Sequence, residues 1–264
     1  MGLVAAWIVV LAVLGWWSVA NDPPTVPEQR DIADALPVLE RASGAVFAAA
    51  TADDRAVVLG DLEISRDCTL TPVRPGVEAG RDITLYVQAG QALTALEEIV
   101  AALPAEYAAE AGASSGGRRI GLHADAGGFV AIDAAADSTT QVFQVRASTG
   151  CRPPADGVDP DRDSVPATRL PDSLGRVLTA LGGDAEGATV NEVGCPDGGT
   201  GRTYTVDGIP APKDLGRSLQ PVVHGATVVR AEPAGWAYRA GTDSVVIEKT
   251  ADSLRVSATT ACGQ

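Results

Sequence analysis

At 264 residues the chain has room for about two domains, and with 45% hydrophobic residues it can build real cores, although aromatics at 4% leave those cores to Ala, Val and Leu. The balance of 34 acidic against 20 basic residues gives a formal charge of −14. That excludes a nucleic-acid partner held by clustered basic residues and equally a polybasic contact with a membrane surface.

Met1 to Asn21 carries no charged side chain, and Leu3–Ala20 is apolar apart from Gly15 and Ser18. A helix of that length, rising about 1.5 Å per residue, just spans a hydrocarbon layer of about 30 Å. Trp16 and Trp17 would lie at its interface end. Residues 1–20 therefore read as a signal-anchor, or as a signal peptide cleaved after Ser18-Val19-Ala20. Residues 21–31, with Pro23, Pro24 and Pro27, form a stiff spacer.

Residues 32–152 read as a first α+β domain. Leu39, Ala42, Val46 and Phe47 mark a helix, and Arg55–Cys68 one bent strand or a strand pair. Ile83–Val87 alternates as a strand does. A second helix puts Leu93, Leu96, Val100 and Leu103 on one face and stops at Pro104. Strands at 119–123, 129–133 and 141–148 complete the domain. Residues 153–166 are an acidic, proline-punctuated linker, and 167–264 a second domain opening on Leu174, Val177, Leu178 and Leu181. The expected fold class is α+β, each domain running roughly α-β-β-α-β-β-β with helices on one face of an antiparallel sheet.

The two domains read as a duplication. Val145–Cys151 matches Val256–Cys262 without a gap, His123–Phe129 parallels Arg230–Trp236, and Gly80–Leu85 parallels Gly201–Val206. Four cysteines allow three pairings, and the repeat selects Cys68–Cys151 and Cys195–Cys262, one bridge per domain. Such bridges persist in an oxidising compartment and stabilise by about 4 kcal/mol each in the chain-entropy picture. Phe143, Val145 and Ala147, and in the second copy Leu254, Val256 and Ala258, share a face with their cysteine, which places each bridge on the buried side. Ion pairs Arg81–Asp125 and Arg202–Glu232 would be repeated along with them.

Chemical motifs are sparse. Asp159, Asp161 and Asp163 alternate as calcium ligands do, but Ser164 and Leu170 replace the glycine and glutamate of an EF-hand loop. Gly112-Ala113-Ser114-Ser115-Gly116 has the spacing of a nucleophile elbow, but in a helix-to-strand setting instead of strand-to-helix. His123-Ala124-Asp125 could orient an imidazole, yet the other copy holds Arg230 and Glu232 there. No catalytic residue, metal ligand or cofactor site is assigned on these patterns. The expectation is a membrane-tethered, extracytoplasmic, non-catalytic binding or interaction protein of a bacterial envelope, with an envelope protein or small ligand as partner and no nucleic acid. The alternative is an extracytoplasmic hydrolase with a carboxylate-based site.

Overall fold

The computed structural model describes residues 2–21, 30–114, 116–159 and 165–263. Helix α1 (Gly2–Asn21) comes first, and its side chains from Val4 to Trp17 are exposed. Among the described residues no helix is long and apolar enough to cross a membrane. Most of the proline spacer, 22–29, and the middle of the linker, 160–164, lie outside the described residues.

The first half contains α2 (Ile32–Ala50), β1 (Ala56–Thr71), β2 (Arg74–Tyr86), α3 (Ala92–Ala102), β3 (Glu110–Ala113), β4 (Arg119–Asp125), β5 (Ala131–Asp137) and β6 (Val142–Ser148). The second contains β7 (Val165–Pro166), α4 (Asp172–Leu181), β8 (Thr189–Gly194), β9 (Thr200–Pro210), α5 (Leu215–Val223), β10 (Thr227–Glu232), β11 (Gly235–Ala240), β12 (Asp243–Lys249) and β13 (Ser253–Gly263). The protein is thus α+β with two antiparallel sheets, ordered β1-β2-β6-β5-β4-β3 and β10-β11-β12-β13-β9-β8-β7.

Read from β1 and from β8, the two orders are the same: first strand, second strand, last strand, then back through the hairpins, with β7 added at the edge. Each half has four strands after its second helix, one more than the pattern suggested. The strand β3 is hard to see in sequence because Glu110-Ala111-Gly112-Ala113 contains no β-branched or aromatic residue. The last-strand match falls on equivalent positions, with Val145 and Val256 buried beside the second strand of each sheet. The middle match does not. Gly128 and Phe129 turn the chain between β4 and β5, whereas Gly235 and Trp236 open β11, one hairpin earlier in the fold. Arg81 sits opposite Ala147, but Arg202 sits opposite Thr260, two residues beyond the equivalent Ala258.

Disulfides join Cys68 to Cys151 and Cys195 to Cys262, with Cα separations of 5.8 and 6.0 Å. The aliphatic faces before them are buried as the alternation requires. Cys262 is nevertheless exposed and Cys151 half-buried. The alternation does not carry through to the cysteines, because Gly150 at φ 62° turns the chain after β6 and a register shift interrupts β13 after Thr260.

One face of the first sheet is covered by α2 and α3, and one face of the second by α4 and α5. In α4 the residues Leu174, Val177, Leu178 and Leu181 are all buried, as their spacing predicts. In α3 the buried face is Ala92, Ala95, Leu96 and Ile99, rotated away from Leu93 and Val100, which stay half-exposed.

The halves also pack on each other. Six consecutive residues of α2, Ala42 to Phe47, are buried, which needs cover on every side of the helix. The second half supplies it: Val193 and Cys195 join the first core. A Cβ on Gly44 would overlap the Gly194 carbonyl, and one on Gly201 would overlap the Phe47 ring. The edge of β1 lies against the other face of the second sheet. An edge strand leaves every second N–H unpaired, and here Val57 N–H donates to Ser244 Oγ at 3.0 Å and Leu59 N–H to Thr203 Oγ1 at 2.9 Å. Ser244, Thr259 and Thr203 lie side by side across β12, β13 and β9, with Thr203 and Thr259 hydroxyls 2.6 Å apart.

Candidate site: a polar cleft between the two sheets

Strand alternation builds the cleft. On β2, Ile83 and Leu85 enter the core, so Asp82, Thr84 and Tyr86 face the other way. On β13, Val256 and Leu254 enter the second core, so Arg255 and Ser257 face the first half. Where β1 docks, these two outward faces meet at an angle and enclose a cleft of about 1240 Å³. Asp61, Asp82, Asp133, Asp137, Asp207 and Glu248 line it, against Arg146 and Arg255 among the described residues. Thr84, Gln144, Asn191, Thr205 and Ser257 supply neutral donors and acceptors between them.

Several of the charged groups are held by partners. Arg146 bridges Asp82 and Glu63, each at 3.0 Å. Burial works against its charge, but the hydrogen bonds to Glu63 and Asp82 outweigh that and raise its pKa. Arg255 Nε donates to Asp207 at 2.7 Å, and this contact raises its pKa despite partial burial. The Tyr86 hydroxyl donates to Glu248 at 2.7 Å across the halves. Burial first, then the Glu248 charge, pushes the phenol well above its usual range, so it stays a neutral donor. Asp137 accepts from the Thr139 hydroxyl at 2.7 Å, which lowers its pKa.

The residues singled out from sequence fall elsewhere. His123 Nδ1 lies 2.8 Å from Asp133 Oδ1, not against Asp125, and is exposed. The Asp133 hydrogen bond raises its pKa. Asp125 instead accepts from Gly127 N–H in the turn after β4. Arg81 pairs with Glu40 at 3.0 Å and donates to the Glu192 carbonyl at 2.9 Å, while Arg202 binds the Glu192 carboxylate at 2.6 Å. Both expected ion pairs are therefore re-partnered, and Glu232 goes to Arg230. The reason is the register: β8 lies beside β9 and under α2, bringing Glu192 between the two arginines.

Ser114 lies in the β3–β4 hairpin, where its carbonyl accepts from Gly117 N–H, and not at a strand-to-helix turn. Asp161 and Asp163 lie outside the described residues. Among the described residues no cluster of three His, Cys, Asp or Glu side chains is arranged for a metal ion. The polar cleft residues had no local signal: each is an ordinary residue on the outward side of its strand, and they come from eight different strands.

What fold and cleft define is a two-sheet α+β protein with a polar groove shared by its halves. No family model matches the chain, and no curated protein is significantly similar to it.

Proposed function

We propose that the protein is a membrane-tethered, extracytoplasmic binding protein of the bacterial envelope, and that its ligand is a positively charged, hydrogen-bonding molecule held in the intersheet cleft. The observation that carries the reading is the cleft itself, concave and lined by both halves, with carboxylates in excess of guanidiniums. A cation gains from that surplus, and the hydroxyl and amide groups between the charges give it orientation. The same strand order in both halves is what descent from one duplicated domain would leave. Two disulfides suit an oxidising compartment, and the tether is read from the sequence alone, from the uncharged, apolar Leu3–Ala20 stretch.

A hydrolase would need one carboxylate free to move a proton and another to attack or activate water. In the cleft Asp82, Asp207, Glu248 and Asp133 are instead committed to Arg146, Arg255, Tyr86 and His123, and Asp137 accepts from the Thr139 hydroxyl, which leaves Asp61 without the second free carboxylate such a pair needs. Binding is therefore the function the geometry supports.

Calorimetric titration of the full-length protein in detergent tests it, with spermidine as the cationic probe and maltotriose as the neutral one. Saturable spermidine binding, weakened by salt and by D61N/D137N, is expected. Equal binding of both probes, or none, overturns the reading. Export is tested separately: added protease should digest the domains in cells stripped of outer layers, and full protection would exclude it.

A further inference from the structure

On the opposite side of the second sheet lies a smaller pocket of about 490 Å³, between the first turn of α5, the β10–β11 turn and the end of β12. Its residues are not those of the cleft. Lys249 and Leu254 line it, while their neighbours Glu248 and Arg255 line the cleft, because successive side chains on a strand point to opposite faces.

Its composition departs from that of the chain. The sequence holds only two lysines, Lys213 and Lys249, and both line this pocket. It holds four tryptophans, three of them within α1, and the fourth, Trp236, lines it too. In a chain of charge −14 these three residues meet at one concavity, drawn from three separate elements. Among the described residues neither ammonium forms an ion pair. The two acids present are already engaged: Glu232 binds Arg230 at 2.5 Å, and Asp214 caps α5 by accepting from Arg217 N–H at 3.0 Å.

The indole is fixed. Trp236 packs on the second core, and Gly216 leaves it room against the first turn of α5, where a Cβ would stand 3.2 Å from Cζ2. A half-buried indole offers a flat apolar face on which a ring can stack. Two unpaired ammoniums beside it offer point charges to an anion.

We infer that this pocket binds an anionic sugar, with the pyranose ring stacked on Trp236 and its carboxylate or phosphate held by Lys213 and Lys249. Ring and charge are both required: the indole alone takes neutral rings, and the lysines alone take any anion.

Calorimetric titration of the full-length protein with glucuronate, glucose 6-phosphate, glucose and inorganic phosphate tests this. Saturable binding of glucuronate or glucose 6-phosphate is expected, with glucose and phosphate each at least about tenfold weaker, as loss of one charge-assisted or stacking contact implies. Which of the two sugars binds more tightly tells whether the anion is a carboxylate or a phosphate. K213Q/K249Q should lose at least about tenfold for the acidic sugar while leaving the affinity of the separate cleft for spermidine unchanged. Both lysines are exposed, so this variant keeps its fold, and W236F serves as a conservative change of the ring. Equal affinity for glucose and glucuronate, phosphate binding as tightly as glucose 6-phosphate, unchanged binding in K213Q/K249Q, or no saturable binding of either acidic sugar would each overturn the assignment.

Discussion

The Tyr86 hydroxyl donates to the Glu248 carboxylate at 2.7 Å, joining the second strand of one sheet to the third-from-edge strand of the other. Tyr86 is buried beside Val229, Ala237 and Val246, so its ring seals the seam at the back of the cleft while its hydroxyl reaches the cleft wall. Y86F keeps the ring and removes only the donor. It should destabilise the protein by about 1.5–2 kcal/mol, the lower part of the range for hydrogen bonds to a charged group, since Glu248 can still reach water. Urea unfolding checks this; an unchanged midpoint would mean the contact does not hold in solution.

The docked edge of β1 gives a second test. Ser244 Oγ accepts from Val57 N–H at 3.0 Å and from the Arg239 guanidinium at 2.8 Å, and Thr203 Oγ1 accepts from Leu59 N–H. T203V leaves the buried Leu59 N–H unpaired and S244A removes the acceptor of both Val57 N–H and Arg239, at a cost of about 1–3 kcal/mol for each donor left unpaired. Amide exchange at Val57 and Leu59 should quicken in the corresponding variant. Protection that survives in both would show that the edge is covered in some other way.

Close approach of α2 to β9 depends on Gly201. A methyl group there meets the Phe47 ring, so G201A should cost about 1–3 kcal/mol through overpacking. F47L shortens the opposing side chain, and the double variant G201A/F47L should be less destabilised than the sum of the singles. Strict additivity in a thermal-unfolding cycle would contradict the packing described.

The His123–Asp133 contact sets a pH dependence of definite sign. The Asp133 hydrogen bond raises the His123 pKa above its ordinary value of about 6.5. Its contribution to stability is therefore complete below the unfolded pKa and is lost as pH rises through the folded one. Both side chains are exposed, so solvent screening keeps the effect small. NMR titration should show the His123 midpoint falling in D133N, and the stability difference between the two proteins vanishing at alkaline pH. A midpoint unmoved by D133N would remove the contact.

Much of this architecture was legible in the sequence because the signals are local. Leu174, Val177, Leu178 and Leu181 make a helical stripe that only one face can bury. Leu254, Val256 and Ala258 alternate with polar residues, which fixes a strand and its core side. The cysteines repeat at the ends of equivalent strands, and the pairing they implied is the pairing found.

What only the tertiary structure decided is the use of the polar faces. Ser257 and Thr259 alternate with the aliphatic residues of β13, a pattern that reads as an outer face, yet both are buried. A hydroxyl is satisfied equally by water or by the free amides of a docking strand edge, so nothing in the local pattern separates the two. The small residues of α2 carry the same ambiguity: Ala42, Gly44 and Ala45 suit a modest helix, and only the arrival of Gly194 shows that they permit a close contact. The cleft is further from the sequence still. Asp61 and Arg255 come to line one groove because the β1 edge lands on the Ser244 and Thr203 hydroxyls, and that landing depends on residues well over a hundred positions apart in the chain.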